Sequence, residues 1–373
     1  MSSSRCHSGS ALDAFLACFE GERPERIVWT ADVNYWLAGQ RQHGTARPEW
    51  STEEGYLKLH RELGIFPYYY YEKFWAAEPR YGDAIRLVET ADGDRRTRVF
   101  ETPVGDLREE SVYSPSSVSL GITKHFVESE RDLDVLLCIL EHRRLTPANL
   151  ADWPERRRLW LAYGGLPCIG LPRSPLAALL VEWAGVQNAS YLIMDCPEKI
   201  AAALQMMEQQ ESPILDAVCE LAPPLVHFPD NLCSECSTRL YDKHMADTHR
   251  RRIDRLHAAG VRCAVHLDGA VRGLLPKLAC SGFDAVEALT PKPAGDLDIE
   301  EIRSLVDDDA TILWGGVPGV MFAPPYEWKQ MESHVHRLIE CWGKLPFIMG
   351  VADQVPPDGN IEFCRRIAAI VQP

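Results

Sequence analysis

No stretch of the 373-residue sequence approaches the ~18 consecutive apolar residues that span a bilayer. Met1 to Ser10 are small and polar and lack the apolar centre of a secretory signal. Positive charge is in deficit: 39 Lys and Arg stand against 54 Asp and Glu, a formal net charge of -15. That balance excludes a general nucleic-acid binder, which needs a basic face to displace counterions, and disfavours docking on an anionic membrane. Fixed-length repeats and low-complexity linkers are missing, as are G-x-G-x-x-G and Walker phosphate loops. Gly-Gly pairs at 164–165 and 315–316 permit close backbone approach without forming such a loop. Cysteine occurs 12 times but without a disulfide framework, which points to reduced thiols and to the cytoplasm.

Hydrophobic residues make up 46% of the chain and charged residues 25%, enough apolar material for a substantial core. The length suits one large barrel or two ordinary domains. From about Pro223 onward, short apolar strands alternate with amphipathic helices. Strands are expected at 224–228, 261–267, 283–289, 311–314 and 346–350, and helices at 241–259, 271–279, 299–306, 326–342 and 361–370. Such alternation with short connections implies a parallel sheet with right-handed crossovers. The first half is less regular, with strands expected at 27–30 and 67–71 and helices at 131–142, 178–183 and 197–221. Segments 85–90 and 97–101 flank Asp92-Gly93-Asp94, a hairpin turn foreign to the βα rhythm. The expected architecture is α/β: a single (β/α)8 TIM barrel over 1–373, with an N-terminal extension at 1–25 and a β-hairpin excursion at 84–126.

In a parallel barrel, chemistry gathers at the carboxyl ends of the strands. Those ends deliver Asp32 and Asn34, then His227, Asp230 and Asn231, then His266 and Asp268, then Glu287, Trp314, and finally Asp353 and Gln354. His266 and Asp268 lie two apart on one expected strand, so their side chains point to the same side. Such a pair binds a metal through nitrogen and oxygen, with Glu287 or Asp353 completing the shell. Alternatively it serves as a hydrogen-bonded general acid/base, or satisfies itself structurally inside the barrel. The expected catalytic residues are His266, Asp268, Glu287 and His227, and the expected metal ligands are His266, Asp268 and Asp353. Substrate binding falls to Asp32, Asn34, Trp36, Asp230, Asn231 and Trp314.

Cys233 and Cys236 form a Cys-x-x-Cys without the second pair of a structural zinc site, so they read as loop thiols, with soft ligation beside His266 as the rival. The runs Arg156–Arg158 and Arg250–Arg252 read as solvated helix faces or ends, and anion clamping is the minority reading. His334 and His336 lie two apart on a helix and face apart. Trp29, Tyr35, Trp36 and Tyr68 to Tyr71 either line an apolar pocket or pack the core.

One ordered series of motifs carries a family resemblance. It runs from Asp230-Asn231 through Cys263-Ala-Val-His-Leu-Asp-Gly to Leu275-Pro-Lys-Leu-Ala-Cys-Ser-Gly-Phe-Asp-Ala-Val-Glu. It continues with Gly295-Asp-Leu, Leu313-Trp-Gly-Gly-Val-Pro and the segment 347–360. Over roughly 220–370 the chain resembles the uroporphyrinogen decarboxylase superfamily. The first half matches more loosely, through Thr102-Pro-Val-Gly, Thr123-Lys-His-Phe and Glu130-Arg-Asp-Leu. The resemblance implies a (β/α)8 barrel that is either a tetrapyrrole decarboxylase or a methyltransferase exchanging a methyl group with a corrinoid protein. The decarboxylases carry an arginine-rich N-terminal signature, whereas Trp29 to Gly39 contain no arginine. Uroporphyrinogen decarboxylation is therefore not expected. Many of the methyltransferases hold zinc through His-x-Cys and a second cysteine in the last barrel strand. His266 matches that histidine, Asp268 stands at the first cysteine, and the late strand offers Asp353 in place of the second. Two thiolates suit activation of a thiol, whereas His/Asp/Asp is a harder site suited to polarising oxygen.

The resemblance thus implies methyl transfer between a small O- or N-methyl donor and a corrinoid cofactor or corrinoid protein. Zinc is the implied metal, cobalamin is carried by a partner protein, and a homodimer is left open. The alternatives are a metal-dependent decarboxylase, lyase or hydrolase acting on a small organic acid, and a non-catalytic barrel that only binds.

Overall fold

Continuous apolar runs such as Ile312-Leu-Trp and Phe347-Ile-Met form strands buried on both faces, as strands of a helix-covered parallel sheet must be. The structure, a computed structural model, describes residues 10–306 and 311–372. The chain gathers into two compact units, the first made of the chain up to Tyr71, Asp152–Cys168 and the chain from Asp268, the second of Glu72–Ala151 and Ile169–Leu267.

In the first unit four parallel strands lie in the order Val28–Thr30, Phe347–Ala352, Ile312–Pro318 and Ala285–Leu289. Trp29 stands opposite Met349, Trp314 opposite Ile348, and Val286 opposite Leu313. The helix Trp328–Trp342 buries Met331, Val335, Leu338 and Trp342, which recur on one face, and Glu327 and Gln330 close its start as a capping box. Helix Glu362–Val371 buries Phe363, Cys364, Ile367, Ala368 and Val371 in the same manner. The Trp314 indole donates to Thr30 Oγ1 at 2.9 Å. Gly350 makes that approach possible: a Cβ there would sit 2.7 Å from Thr30 Oγ1 and 3.3 Å from the indole ring.

Three expectations change in this unit. Segment 67–71 is not a regular strand and runs into a short turn at Tyr71–Lys73. It still accepts at its carbonyls, Pro67 from Leu166 N–H at 3.1 Å and Tyr68 from Cys168 N–H at 2.8 Å. The helix expected at 271–279 is Leu275–Ala279, and the Asp296 carboxylate accepts from the N–H groups of Val271 at 2.9 Å and Arg272 at 3.3 Å ahead of it. The helix expected at 299–306 runs Ile299–Ser304, and 307–310 lie outside the described residues. Residues 1–9 of the N-terminal extension also lie outside them. Its helix Ala11–Phe19 packs Phe15 against Phe66, ring centroids 4.7 Å apart, and against Trp314 at 5.5 Å.

In the second unit the parallel strands are Arg262–Leu267, Leu225–Leu232 and Ile169–Gly170, in that order. The hairpin at Gly93 forms as its sequence dictates, with Gly93 at φ 56. It belongs to a larger excursion than one hairpin, a four-stranded antiparallel sheet of Arg86–Asp92, Arg95–Thr102, Gly105–Ser114 and Ser119–Lys124. Helix Pro197–Leu221 has the expected bounds. The helix expected at 241–259 is instead two, Ser234–His244 and Ala246–Ala258, broken at Met245 with φ -129. The break lets the second helix turn His249 and Arg252 inward, 0% and 3% exposed.

Parallel strands followed by helices, with the apolar side chains between the layers, define a mixed α/β fold of the TIM-barrel type. Among the described residues no helix is long and apolar enough to cross a membrane.

Candidate functional site

Backbone strain collects at the carboxyl ends of the parallel strands. Asn231 lies at φ 50, Ala288 at φ 63 and Asp353 at φ 67, each at or just beyond the end of a parallel strand. Left-handed conformations at non-glycine residues cost of order 1 kcal/mol each and gather where the surroundings demand a particular geometry. At Ala288 the strand register shifts between Val286 and Leu289, which re-aims Glu287.

The first unit supplies carboxylates and phenols. Glu287 is buried, 2% exposed, and accepts a hydrogen bond from the Tyr68 hydroxyl at 2.9 Å. Burial, and then the Glu287 charge, push the Tyr68 phenol well above its usual range. Burial does the same to Tyr69. Asp32, two residues beyond the Val28–Thr30 strand, accepts from the Asn34 backbone N–H at 2.7 Å and from Asn34 Nδ2 at 2.6 Å. Burial raises the Asp32 carboxyl, the Asn34 donors oppose it, and the charges of Asp353 and Glu287 push it up again, to about 7. Asp32 therefore exists in comparable amounts as acid and as carboxylate near neutrality. Asp353 is exposed just past the Phe347–Ala352 strand, and its Oδ2 accepts from Gln354 Nε2 at 3.3 Å.

The second unit supplies imidazoles. His227 is buried and His266 half-buried, with ring centroids 5.8 Å apart. A nitrogen of each ring lies within 4.8 Å of the other. Two imidazole nitrogens on one zinc stand roughly 3.4 Å apart at about 2.1 Å from the metal, a separation inside that bound. Phe74 meets the His227 ring edge-on at 5.6 Å.

Behind His227, on the same strand, Asp230 is fully enclosed. It accepts from Ser174 N–H and Oγ, both at 2.7 Å, and sits 2.8 Å from His249 Nε2. Burial alone would raise this carboxyl, but the bonds and charge from His249, the Arg252 charge and the Ser174 N–H outweigh it and hold it down at about 2.

Several expected site residues take other positions. The His266 strand ends at Leu267, so Asp268 lies beyond it and is exposed, not paired with His266 on one strand face. Trp314 is 1% exposed and supports Tyr68 from behind, ring centroids 4.6 Å apart. Trp36 is buried against Trp50 at 5.6 Å. Asp230 serves the buried network, and Asn231 Oδ1 accepts from Arg173 Nη2 at 3.2 Å. Arg156 and Arg252 are not solvated: both are buried, paired with Glu53 and Glu211 respectively. Cys233 and Cys236 are not joined in a disulfide and are half-buried at the start of helix Ser234–His244. His334 Nε2 lies 2.7 Å from the Gly316 carbonyl. The perturbed acidity of Asp32 escaped the sequence reading, because it depends on three carboxylates meeting from distant segments.

The class defined by these features is a TIM-barrel-type α/β protein with ionisable groups at its strand ends. The uroporphyrinogen decarboxylase family profile matches residues 157–372. The chain belongs to that family. None of the curated proteins matches the chain in sequence. Among solved structures it is similar to a methyltransferase from Methanosarcina mazei, with TM-score 0.60, 12% identity, and coverage of 97% of this chain and 98% of that one. It is also similar to a B12-independent methionine synthase from Shewanella sp. W3-18-1, with TM-score 0.43, 10% identity, and coverage of 78% and 76%.

Proposed function

We propose that the protein is a methyltransferase that takes a methyl group from oxygen or nitrogen of a small donor and delivers it to a corrinoid acceptor. The observation that carries this reading is Asp32, a carboxyl held at about 7 among Glu287, Asp353 and buried tyrosines. Methyl ethers and methylamines are poor methyl donors because the departing atom must take up negative charge or a proton. A carboxyl poised near neutrality meets that need. As the methyl carbon bonds to the reduced cobalt of the acceptor, the C–O or C–N bond breaks. The electron pair left on the departing atom takes the proton of Asp32. Asn34 holds the Asp32 carboxylate in place afterwards, and solvent returns the proton. Burial, with the charges of Asp353 and Glu287, keeps Asp32 a weak enough acid to be protonated at the outset, and Tyr68 fixes Glu287.

The donor set fits a hard metal site better than a thiolate one. His227 and His266 would hold zinc through their imidazole nitrogens. Bound there, zinc would supply a Lewis acid. The absence of arginine from Trp29 to Gly39 favours methyl transfer over tetrapyrrole decarboxylation.

A panel of methoxy and N-methyl compounds incubated with the protein and cob(I)alamin tests the reading through the loss of the cob(I)alamin absorbance. Transfer from at least one O- or N-methyl donor, reduced about 10²–10⁴-fold in Asp32→Asn, is expected. No transfer from any donor, or equal rates in the variant, would refute it.

A further inference from the structure

We infer that Arg173 forms a preorganised subsite for an anionic group, carboxylate or phosphate, of a small ligand. Arg173 lies in the four-residue link between the Ile169–Gly170 strand and the helix that starts at Pro175, at the carboxyl end of that strand. Two buried charged groups clamp this link. Asp230 binds the N–H and hydroxyl of Ser174, both at 2.7 Å. Arg252, itself paired with Glu211, donates to the carbonyls of Pro172 at 3.2 Å and Arg173 at 3.3 Å. Burying two charges to fix so short a link is costly, and the residue the link presents is Arg173.

Its guanidinium is held on three sides but is incompletely used. Trp75 covers it, 5.2 Å from the ring centroid, Nη1 meets Glu182 at 3.0 Å, and Nη2 donates to the neutral amide oxygen of Asn231 at 3.2 Å. Nε is buried and makes no hydrogen bond among the described residues. An orphaned buried N–H is expensive unless a ligand meets it. The unused Nε and the weakly used Nη2 form the side-on edge of the guanidinium. Elsewhere in this chain the same edge grips carboxylates with two parallel bonds: Arg98 holds Glu109 at 2.8 and 2.9 Å, and Arg337 holds Glu300 at 2.7 and 2.6 Å. An oxyanion at Arg173 would repeat that fork, displacing only the Asn231 amide. The inference is independent of whether the transferred group is methyl.

Calorimetric titration with acetate, benzoate and inorganic phosphate, and with benzamide as the uncharged control, tests it. The wild-type protein should bind at least one anion saturably and benzamide not at all, and the preferred anion identifies the class. Arg173→Gln should weaken that binding at least ~10-fold, and Arg173→Lys should restore part of it. Glu182→Gln should tighten it, since it removes the competing carboxylate. A purely structural ion pair would instead make the Arg173 and Glu182 variants behave alike. The absence of saturable anion binding by the wild type, unchanged binding in Arg173→Gln, or weaker binding in Glu182→Gln would overturn the inference.

Discussion

At the scale of single residues, Asp32 shows how acidity is set by company. Burial takes water from the carboxyl, Asn34 gives back two hydrogen bonds, and two further carboxylates tip the balance to about 7. This has a consequence for stability. The folded value lies above the ~3.9 of an unfolded aspartate, so the stabilising contribution is complete below that value and is lost as pH rises through about 7. Asp32→Asn keeps an acceptor for Asn34 and removes the cost of the buried charge. Urea titrations should find the variant more stable than wild type at pH 8 and no more stable near pH 4. Equal stability at pH 8 would mean that Asp32 ionises without penalty. Asp32 was legible as a strand-end residue in the sequence, but its acidity was not. Its partners Glu287 and Asp353 lie hundreds of positions away, and only folding brings their charges to bear.

At the scale of elements, periodicity located most helices and strands, and the departures have local causes. Helix Pro197–Leu221 and the late strands follow their apolar patterns. Segment 67–71 pairs through isolated carbonyls, and ahead of Leu275 the chain is a turn whose Val271 and Arg272 N–H groups the Asp296 carboxylate accepts. The break at Met245 has no proline or glycine to announce it; its result is that His249 reaches Asp230 at 2.8 Å. That contact ties the second helix to the His227 strand. His249→Ala would leave a buried carboxylate with only Ser174 and the more distant Arg252 charge, a loss of about 3–5 kcal/mol in denaturant unfolding. A loss under about 1 kcal/mol would show that the strand needs no such anchor.

At the scale of the whole molecule, the family was legible from the order and spacing of several short motifs along the second half of the chain. The motifs from Asp230 to 360 lie within the matched residues 157–372, whereas the antiparallel excursion at 86–124 offered one hairpin turn and two looser matches, Thr102-Pro-Val-Gly and the motif that starts at Thr123. The strand-end motif His266-Leu-Asp268-Gly269 resolved differently from its sequence reading. His266 pairs with His227, and Asp268 lies outside the strand. Metal analysis of purified protein should therefore find zinc reduced in both His227→Ala and His266→Ala but largely retained in Asp268→Ala. Zinc that follows Asp268 and ignores His227 would restore the His-x-Asp site.

The central claim is that Asp32 protonates the departing group during methyl transfer. It is tested most directly by the pH dependence of kcat/KM for methyl transfer to cob(I)alamin, with the best donor, in wild type and Asp32→Asn. Wild type should lose activity above about pH 7, as the Asp32 proton is lost, and the variant should be slow and without that alkaline limb. A wild-type rate that stays level to pH 9, or the same limb in Asp32→Asn, would contradict the account.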